Sequence, residues 1–282
     1  MSSFRSGFVA VVGRTSVGKS SLVNALVGKK VSIEARSTNT TRMKIRGILT
    51  TEDAQVIFID TPGFHKPKGT FSRNLVEIAR SSALEAPDLV MLVVDAKKGV
   101  GKGDKYVYDD IGKCDVLALN KIDLSKKNEI FQAIEKTIEV LGDNFEIVPV
   151  SAKTKENLDE LKKVIIEKLP EGPLWFEQDT VTDLDDELYF AEVIREQFLY
   201  YLKDELPHKL AVKITEFKWP LIRCEVVVQR PSQKMIVIGK DGAMLSQVRN
   251  RLKKLFPDIN VKFYVKVDKK WESKASEYGY LK

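Results

Sequence analysis

The chain has 282 residues and a mass of 31.9 kDa, which is enough for one large domain or two unequal ones. Its net charge is +6, and its 43% hydrophobic and 30% charged residues are ordinary for a globular protein. No apolar run approaches the roughly 20 residues that a membrane span needs, so no transmembrane helix is expected. The N-terminus lacks the apolar core and cleavage site of a signal peptide, and we expect a cytoplasmic protein.

Cysteine and histidine are too sparse to build a metal cluster or a nucleophilic triad. Cys114 and Cys224 lie more than 100 positions apart, which favours reduced thiols over a disulfide. His65 and His208 are equally isolated.

Apolar runs alternate with amphipathic stretches through the first 170 residues. Strands that read as continuous Val/Ile/Leu runs between helices are buried on both faces, which predicts an α/β domain with a mostly parallel sheet, right-handed crossovers and helices on both faces. The predicted strands are 8–12, 44–49, 55–60, 89–95, 116–120 and 146–149, and the predicted helices are 19–27, 70–82, 105–111, 128–141 and 157–169.

A break in this alternation marks a change of domain. The segment LPEGPLWFEQDTVTDLDDE contains Pro170, Gly172 and Pro173 and turns acidic. We therefore divide the chain into a first domain at 1–172, a linker at 173–185 and a second domain at 186–282. The second domain has a different order of elements, which predicts a smaller α+β fold. Its predicted elements are helix 187–204, strands 209–217 and 221–229, an apolar KMIVIG stretch, a glycine loop, helix 243–256 and strand 261–267.

The stretch GRTSVGKS follows the first predicted strand and opens the first predicted helix. Glycines let such a loop turn its backbone N–H groups toward a phosphate chain, with the lysine on the β and γ phosphates and the serine hydroxyl on Mg²⁺. A chance glycine-rich loop is the alternative, and its place between a strand and a helix disfavours it. The residues predicted to hold the phosphates are Gly13, Arg14, Thr15, Ser16, Val17, Gly18, Lys19, Ser20 and Ser21.

The stretch FIDTPG closes the third predicted strand with a carboxylate and then a glycine. Asp60 would hold Mg²⁺ through water, and the Gly63 N–H would bond the γ phosphate and sense its presence. The alternative is that this stretch is only a capped turn after a strand. The presence of a phosphate loop about 40 residues upstream disfavours that interpretation.

Two further motifs indicate guanine as the base. In LNKID, the Asp123 carboxylate can accept hydrogen bonds from the N1–H and amino group of guanine, a donor pair that adenine lacks. A site built on such buried hydrogen bonds discriminates against a base that cannot form them by a factor of roughly 10⁴ to 10⁵. Asn120 would tie this loop to the phosphate loop, and the stem of Lys121 would cover the purine. In VSAK, which supplies Ser151, Ala152 and Lys153, the Ala152 N–H would donate to guanine O6.

These motifs, with TTR, resemble those of translation-factor-type GTPases. The resemblance implies that Thr41 contacts Mg²⁺ and the γ phosphate, with Thr40 as the alternative. Because residues 37–42 lack periodicity, we expect them to form a mobile switch that the γ phosphate orders. It implies a magnesium set of Ser20, Thr41 and Asp60 and catalytic contributions from Lys19, Thr41 and Gly63. Phe64 stands where Ras-like enzymes have a water-orienting Gln, so we expect slow intrinsic hydrolysis. For neighbouring His65, a loop residue is favoured over a base.

The second domain carries a local charge excess and a second glycine pair. Residues 230–274 contain twelve basic and four acidic side chains, a composition that attracts phosphate backbones. GKDG lies in an element order that resembles a type II KH domain, whose GXXG turn packs against single-stranded RNA. Packing is favoured over base stacking for Trp271, Tyr278 and Tyr280. The residues predicted to contact RNA are Ile236, Ile238, Gly239, Lys240, Asp241, Gly242 and Arg249.

Over nearly its whole length the chain resembles the Era family of GTPases, in segments such as DTPGFHKPK and FYVKVDKKWESKASEYGYLK. The resemblance implies a monomer that binds GTP or GDP with Mg²⁺, binds the 3′ end of small-subunit ribosomal RNA, acts in 30S subunit assembly, and attaches peripherally to the cytoplasmic membrane. Most members have Asn where Ser16 stands here, and in potassium-stimulated relatives that Asn helps hold the cation. We therefore expect weak or altered activation by K⁺.

Two other functions share part of this sequence pattern. One is a low-turnover, nucleotide-bound RNA-binding assembly factor that acts as a placeholder instead of cycling. The other is a small-molecule kinase, which is disfavoured because no lid-like arginine cluster is evident and NKID selects guanine.

Overall fold

The computed structural model describes residues 3–34, 40–67 and 69–280. The chain divides into two compact units. The first unit comprises Met1–Ser32 and Thr41–Asp183, and the second comprises Ile33–Thr40 and Leu184–Lys282.

The first unit is built on a six-stranded sheet. Its strands are β1 (Arg5–Val12), β2 (Ile45–Thr50), β3 (Ala54–Asp60), β4 (Leu89–Asp95), β5 (Val116–Asn120) and β6 (Glu146–Val150). They lie in the order β2-β3-β1-β4-β5-β6, with β2 antiparallel to β3 and the other pairs parallel. The predicted mostly parallel α/β fold is therefore confirmed.

Helices cover both faces of this sheet, because its central strands are apolar on both sides. The helices are α1 (Lys19–Val27), α2 (Thr70–Leu84), α3 (Lys102–Ile111), α4 (Lys127–Leu141) and α5 (Leu158–Lys168). One apolar core takes side chains from α1 and α5, and the other takes them from α2, α3 and α4. The parallel strands all end at one edge, so the residues after Val12, Asp60, Asn120 and Val150 are brought together there.

The second unit has a three-stranded sheet in the order β7-β8-β9. It contains α6 (Asp186–Tyr201), α7 (Leu206–Lys209), β7 (Ala211–Lys218), β8 (Leu221–Val228), α8 (Pro231–Ile238), α9 (Ala243–Leu255), β9 (Asn260–Val267) and a 3₁₀ segment at Trp271–Tyr278. β7 pairs antiparallel and β9 parallel with β8. The core lies between the sheet and helices α6, α8 and α9.

Several predicted boundaries differ from the structure for identifiable reasons. The helix expected at 105 begins at Lys102, where the Asp104 side chain accepts from the Gly101 N–H and closes a cap. The long helix expected to reach 204 ends at Tyr201, and the separate turn of α7 was missed. The residues KMIVI of the apolar KMIVIG stretch belong to α8, which starts at Pro231, a residue suited to the first turn of a helix, and Gly239 is its C-cap.

The C-terminal aromatic residues pack inside the second unit, as the sequence favoured. Trp271, Tyr278 and Tyr280 are all buried, and their rings meet edge to face. The Trp271 Nε1–H donates to the Lys209 carbonyl at 3.2 Å. In the described ranges, no helix is long and apolar enough to cross a membrane.

Replacing Trp271 with Ala should lower the free energy of unfolding of the second unit by about 3–5 kcal/mol, because a fully buried indole leaves a large cavity. Tyr264→Ala is the control, since Tyr264 is 65% exposed and its loss should cost no more than about 0.5 kcal/mol. Urea unfolding followed by circular dichroism measures both, and equal losses would contradict the packing assignment.

Candidate nucleotide site and glycine loop

The loop Gly13–Ser20 joins β1 to α1 in a conformation that depends on its glycines. Gly13 and Gly18 have φ of 145° and 96°. A Cβ on Gly13 would lie 2.5 Å from the Val93 carbonyl oxygen, and one on Gly18 would lie 2.5 Å from Asn120 Nδ2. The loop therefore runs close against the ends of β4 and β5, where a side chain has no room.

Lys19 is buried at the first position of α1. Its Nζ donates to the carbonyls of Gly13 at 3.3 Å and Arg14 at 3.2 Å, so the ammonium curls back over the loop. Burial lowers the pKa of Lys19 to about 8, and the nearby negative charge of Asp60 partly opposes this shift. A cation held in so dry a place favours a bound anion.

Three oxygen-bearing side chains predicted to bind magnesium are buried or half-buried in the first unit. Ser20 Oγ lies 3.0 Å from Thr41 Oγ1, and Asp60, at the end of β3, is fully buried. Hydroxyl and carboxylate oxygens are the donors that Mg²⁺ prefers, so this set fits the ion. Of the two candidate threonines, Thr41 is the one placed against Ser20. Within the predicted switch at 37–42, residues 37–39 lie outside the described part.

The stretch after Asp60 is joined to the phosphate loop by backbone hydrogen bonds. The Phe64 N–H donates to the Gly13 carbonyl at 3.1 Å, and the Thr15 N–H donates to the Phe64 carbonyl at 3.2 Å. A Cβ on Gly63 would lie 2.7 Å from Thr15 Cα, so only glycine fits this approach. The Phe64 ring is 2% exposed and packs into the core against α2 and α3.

His65 is engaged with its surroundings through both ring nitrogens. Its Nδ1 lies 2.8 Å from the Gly63 carbonyl and its Nε2 lies 2.6 Å from Ser72 Oγ. A carbonyl can only accept, so Nδ1–H donates to the Gly63 carbonyl, while Nε2 and the Ser72 hydroxyl share the second hydrogen bond. The structural loop role, favoured over a base, agrees with this geometry.

Asn120 ties the ends of three strands together, as the sequence predicted for the phosphate loop. Its Nδ2 donates to the Val17 carbonyl at 3.0 Å. Its Oδ1 accepts from the N–H groups of Lys121 at 2.8 Å and Ala152 at 3.1 Å. The Ala152 N–H predicted to meet guanine O6 is therefore engaged by Asn120.

Lys121 and Asp123 project from the turn after β5. Lys121 has a left-handed φ of 69°, and its Nζ donates to the Ser16 carbonyl at 2.6 Å and to Asp95 Oδ2 at 2.7 Å. The Asp123 carboxylate accepts from the Ser151 hydroxyl at 2.8 Å and has the Lys153 Nζ at 3.8 Å. The loops after β5 and β6 thus hold the predicted base-contacting carboxylate in place.

Two carboxylates at this edge were missed by sequence reasoning. Asp95, 4% exposed, ends β4 and bonds Lys121, while Asp104 of α3 pairs with Arg14 at 3.3 Å. The signal for Asp95 was available, because it closes the apolar run LVMLVVD just as Asp60 closes its own strand.

In the second unit, GKDG forms the turn between α8 and α9. Gly239, Asp241 and Gly242 have φ of 77°, 49° and 76°, and a Cβ on Gly239 would lie 2.7 Å from the Met244 nitrogen. Lys240 and Asp241 are exposed at its tip. Within the turn, the Gly239 N–H donates to the Met235 carbonyl at 2.9 Å and the Gly242 N–H donates to the Gly239 carbonyl at 3.2 Å.

The predicted apolar and basic RNA contacts are unequally exposed. Ile236 is 50% exposed, whereas Ile238 is partly buried against the core. Arg249 lies over the Phe263 ring and donates through Nε to the Val261 carbonyl at 3.2 Å, so its side chain is anchored to β9.

Comparison with known proteins identifies two matching families and full-length relatives. Residues 8–121 match the family described as 50S ribosome-binding GTPase, and residues 201–272 match the KH domain. The chain is 39% identical to GTPase Era of Rippkaea orientalis, covering 98% of this chain and 93% of that protein. It is 39% identical to GTPase Era of Corynebacterium diphtheriae, covering 99% and 96%.

Solved structures agree over the same length. A crystal structure of Era with MgGDPNP and nucleotides 1506–1542 of 16S ribosomal RNA is 35% identical, with a TM-score of 0.92 over 98% of this chain and 99% of that one. A variant of Aquifex aeolicus Era bound to GDP and AlF₄⁻ is 35% identical, with a TM-score of 0.91 over 98% and 99%.

The free energy of unfolding of the nucleotide-free protein should rise between pH 8 and 10.5. Below pH 8, Lys19 is charged in both the folded and unfolded states, and its burial cost is fully present. Above pH 8 the folded state releases the proton while the unfolded state keeps it up to 10.5, so folding is favoured as pH rises. Urea midpoints across this range should rise in wild type relative to Lys19→Met. Lys163→Met, at an exposed lysine of α5, should follow wild type, and parallel curves for all three proteins would contradict the assignment.

Proposed function

From its membership of the Era family of GTPases, we infer that this chain is a GTP-hydrolysing switch that binds small-subunit ribosomal RNA near its 3′ end and acts in 30S subunit assembly. The observation that carries the inference is the likeness, over 98% of the chain, to an Era structure that holds a GTP analogue and nucleotides 1506–1542 of 16S ribosomal RNA. The matches to a GTPase family and to the KH domain support the same two activities.

For the nucleotide, we assign phosphate binding to the loop Gly13–Ser20 and base recognition to Asp123. Ser20, Thr41 and Asp60 would hold Mg²⁺, whose chemistry is to neutralise charge on the phosphate oxygens. The 3.0 Å approach of the Ser20 and Thr41 hydroxyls supports this oxygen set. The closed arrangement around Lys19 supports binding of an anion there.

Hydrolysis without a partner should be slow. The Phe64 ring packs in the core and carries no polar atom, and the ring nitrogens of His65 already bond Gly63 and Ser72. We therefore assign the slow intrinsic rate to this substitution of Phe for Gln.

For RNA, we assign the backbone contact to the GKDG turn, with Lys240 on a phosphate and Ile236 at the edge of the base groove. The exposure of both side chains supports this assignment. From the family resemblance we also propose a cytoplasmic monomer with peripheral attachment to the membrane.

RNA affinity should depend on the nucleotide and on Lys240. With a nonhydrolysable GTP analogue, the protein should bind a single-stranded oligonucleotide of the small-subunit rRNA 3′ end more tightly than with GDP. Lys240→Ala should weaken binding and reduce the slope of log affinity against log salt by about one, because one phosphate contact is lost. Fluorescence anisotropy at several salt concentrations measures both, with Lys163→Ala in the first unit as the control. Equal affinity in the two nucleotide states would refute the proposed switch.

Potassium should stimulate this GTPase weakly. Ser16 has a shorter side chain than the Asn of most members, and its carbonyl already accepts from Lys121 Nζ at 2.6 Å. Ser16→Asn should therefore increase the ratio of GTP hydrolysis rates in KCl and NaCl at equal ionic strength. Strong and equal stimulation of wild type and variant would show that Ser16 does not limit the response.

A further inference from the structure

One of the three boundaries between the two units falls at the peptide bond that precedes Thr41, the threonine predicted to bind magnesium. Residues Ile33–Thr40 belong to the second unit, whereas Thr41 belongs to the first. Thr41 Oγ1 lies 3.0 Å from Ser20 Oγ. The chain therefore passes directly from the second unit into the nucleotide site.

Within the second unit, consecutive residues of α6 hold the two ends of this segment. The Glu34 N–H donates to Glu196 Oε1 at 2.8 Å, and Arg195 Nη2 donates to the Thr40 carbonyl. A peptide group is planar, so fixing the Thr40 carbonyl also restricts the direction in which the Thr41 N–H and Cα leave it.

Arg195 is unusually well held for a long side chain. It is fully buried, and Glu192 accepts from its Nε at 2.7 Å and from its Nη2 at 2.6 Å. The Tyr280 ring lies 5.7 Å from the guanidinium carbon. A two-point pair of this kind fixes the planar guanidinium in one orientation, so the Nη2 that bonds the Thr40 carbonyl has little freedom to change direction.

Helix α6 is also joined to the helix that follows the glycine loop. Arg251 of α9 donates through Nε to Gln197 Oε1 at 2.9 Å, and Arg251 stacks on Tyr200 at 3.8 Å. The same helix thus contacts both the segment before Thr41 and the helix that GKDG opens.

We propose that Arg195 is a positioning residue for GTP: through the Thr40 carbonyl it holds Thr41 in the orientation that the γ phosphate and magnesium require. This rests on the proposed function, since it assigns the residue that links the RNA-binding unit to the nucleotide. GDP lacks the γ phosphate, so Arg195 contributes to the affinity for GTP and little to that for GDP. By linkage, RNA that favours this arrangement of α6 favours GTP by the same factor.

The test replaces the buried pair as a whole. Arg195→Met alone would leave Glu192 buried and uncompensated, so it is combined with Glu192→Leu, because apolar replacement of a buried ion pair is often tolerated. Arg195→Lys is the conservative variant. It keeps the positive charge and one hydrogen-bonding nitrogen but cannot form the two-point pair with Glu192. Lys209→Met is the control, since it removes another ion pair of the second unit, with Glu272 at 2.9 Å.

Calorimetric titration of each nucleotide into RNA-free protein is the primary measurement. For the double variant, affinity for a nonhydrolysable GTP analogue should fall about tenfold, the worth of one hydrogen bond from a charged group, and GDP affinity should stay within about twofold. The Mg²⁺ concentration that half-saturates analogue binding should rise. Arg195→Lys should lie between the double variant and wild type, and Lys209→Met should match wild type.

Two results would overturn the role of Arg195. One is an unchanged ratio of analogue to GDP affinity in the double variant, and the other is an equal loss for both nucleotides, which a merely structural role would produce. Failure of the proposed function is seen separately, because it would appear in wild-type protein as RNA affinity that does not depend on the nucleotide.

Discussion

The nucleotide site depends on a loop that is held in a costly conformation by groups distant in sequence. Ser16 has a left-handed φ of 64°, a conformation that residues other than glycine adopt rarely and that persists where the surroundings over-determine it. Gly13 and Gly18 flank it with positive φ angles that glycine alone adopts readily. Here the Asn120 side chain holds the Val17 carbonyl and the backbone of Phe64 pairs on both sides of Arg14. Each tie comes from the end of a different parallel strand, so the order of strands in the sheet shapes the loop.

The loop held by these hydrogen bonds covers the Lys19 ammonium and shields it from water. Lys19 donates to two loop carbonyls and is buried under the loop, and this burial works against the stability of the nucleotide-free protein. A phosphate chain would supply the missing negative charge, and the structure is thus more complementary to its ligand than to the ligand-free state. Lys121, by contrast, has its negative partner within the protein. Its ammonium donates to the Asp95 carboxylate and to the Ser16 carbonyl of the loop.

Sequence alone could predict the parts of this molecule that depend on local chemistry. Glycines at Gly13 and Gly18, carboxylates at strand ends and alternating apolar runs specify the phosphate loop, the sheet and the α+β second unit without reference to distant residues. Sequence could not predict that Phe64 would turn its ring into the core while its backbone closes the loop, or that the Ala152 N–H would go to Asn120 at 3.1 Å. Each depends on which of several donors and acceptors meet across more than 30 residues, and no periodicity records that choice. The turn of α7 was missed because Pro207 reads equally well as the end of one helix or the start of another.

Helix α6 indicates why the second unit keeps charge in its interior. All ten residues from Phe190 to Leu199 are buried, yet four of them are Glu192, Arg195, Glu196 and Gln197. A helix buried on every side would be most stable with apolar residues throughout, since a buried ion pair rarely recovers the free energy of its desolvation. Packing does not require these polar residues. Their partners include one another, Arg251 of α9, and the two ends of the segment before Thr41. An apolar side chain could fill the same volume but could not hold a backbone carbonyl in one direction, so the charge in this helix is best explained by the need to orient the chain that leads to the nucleotide.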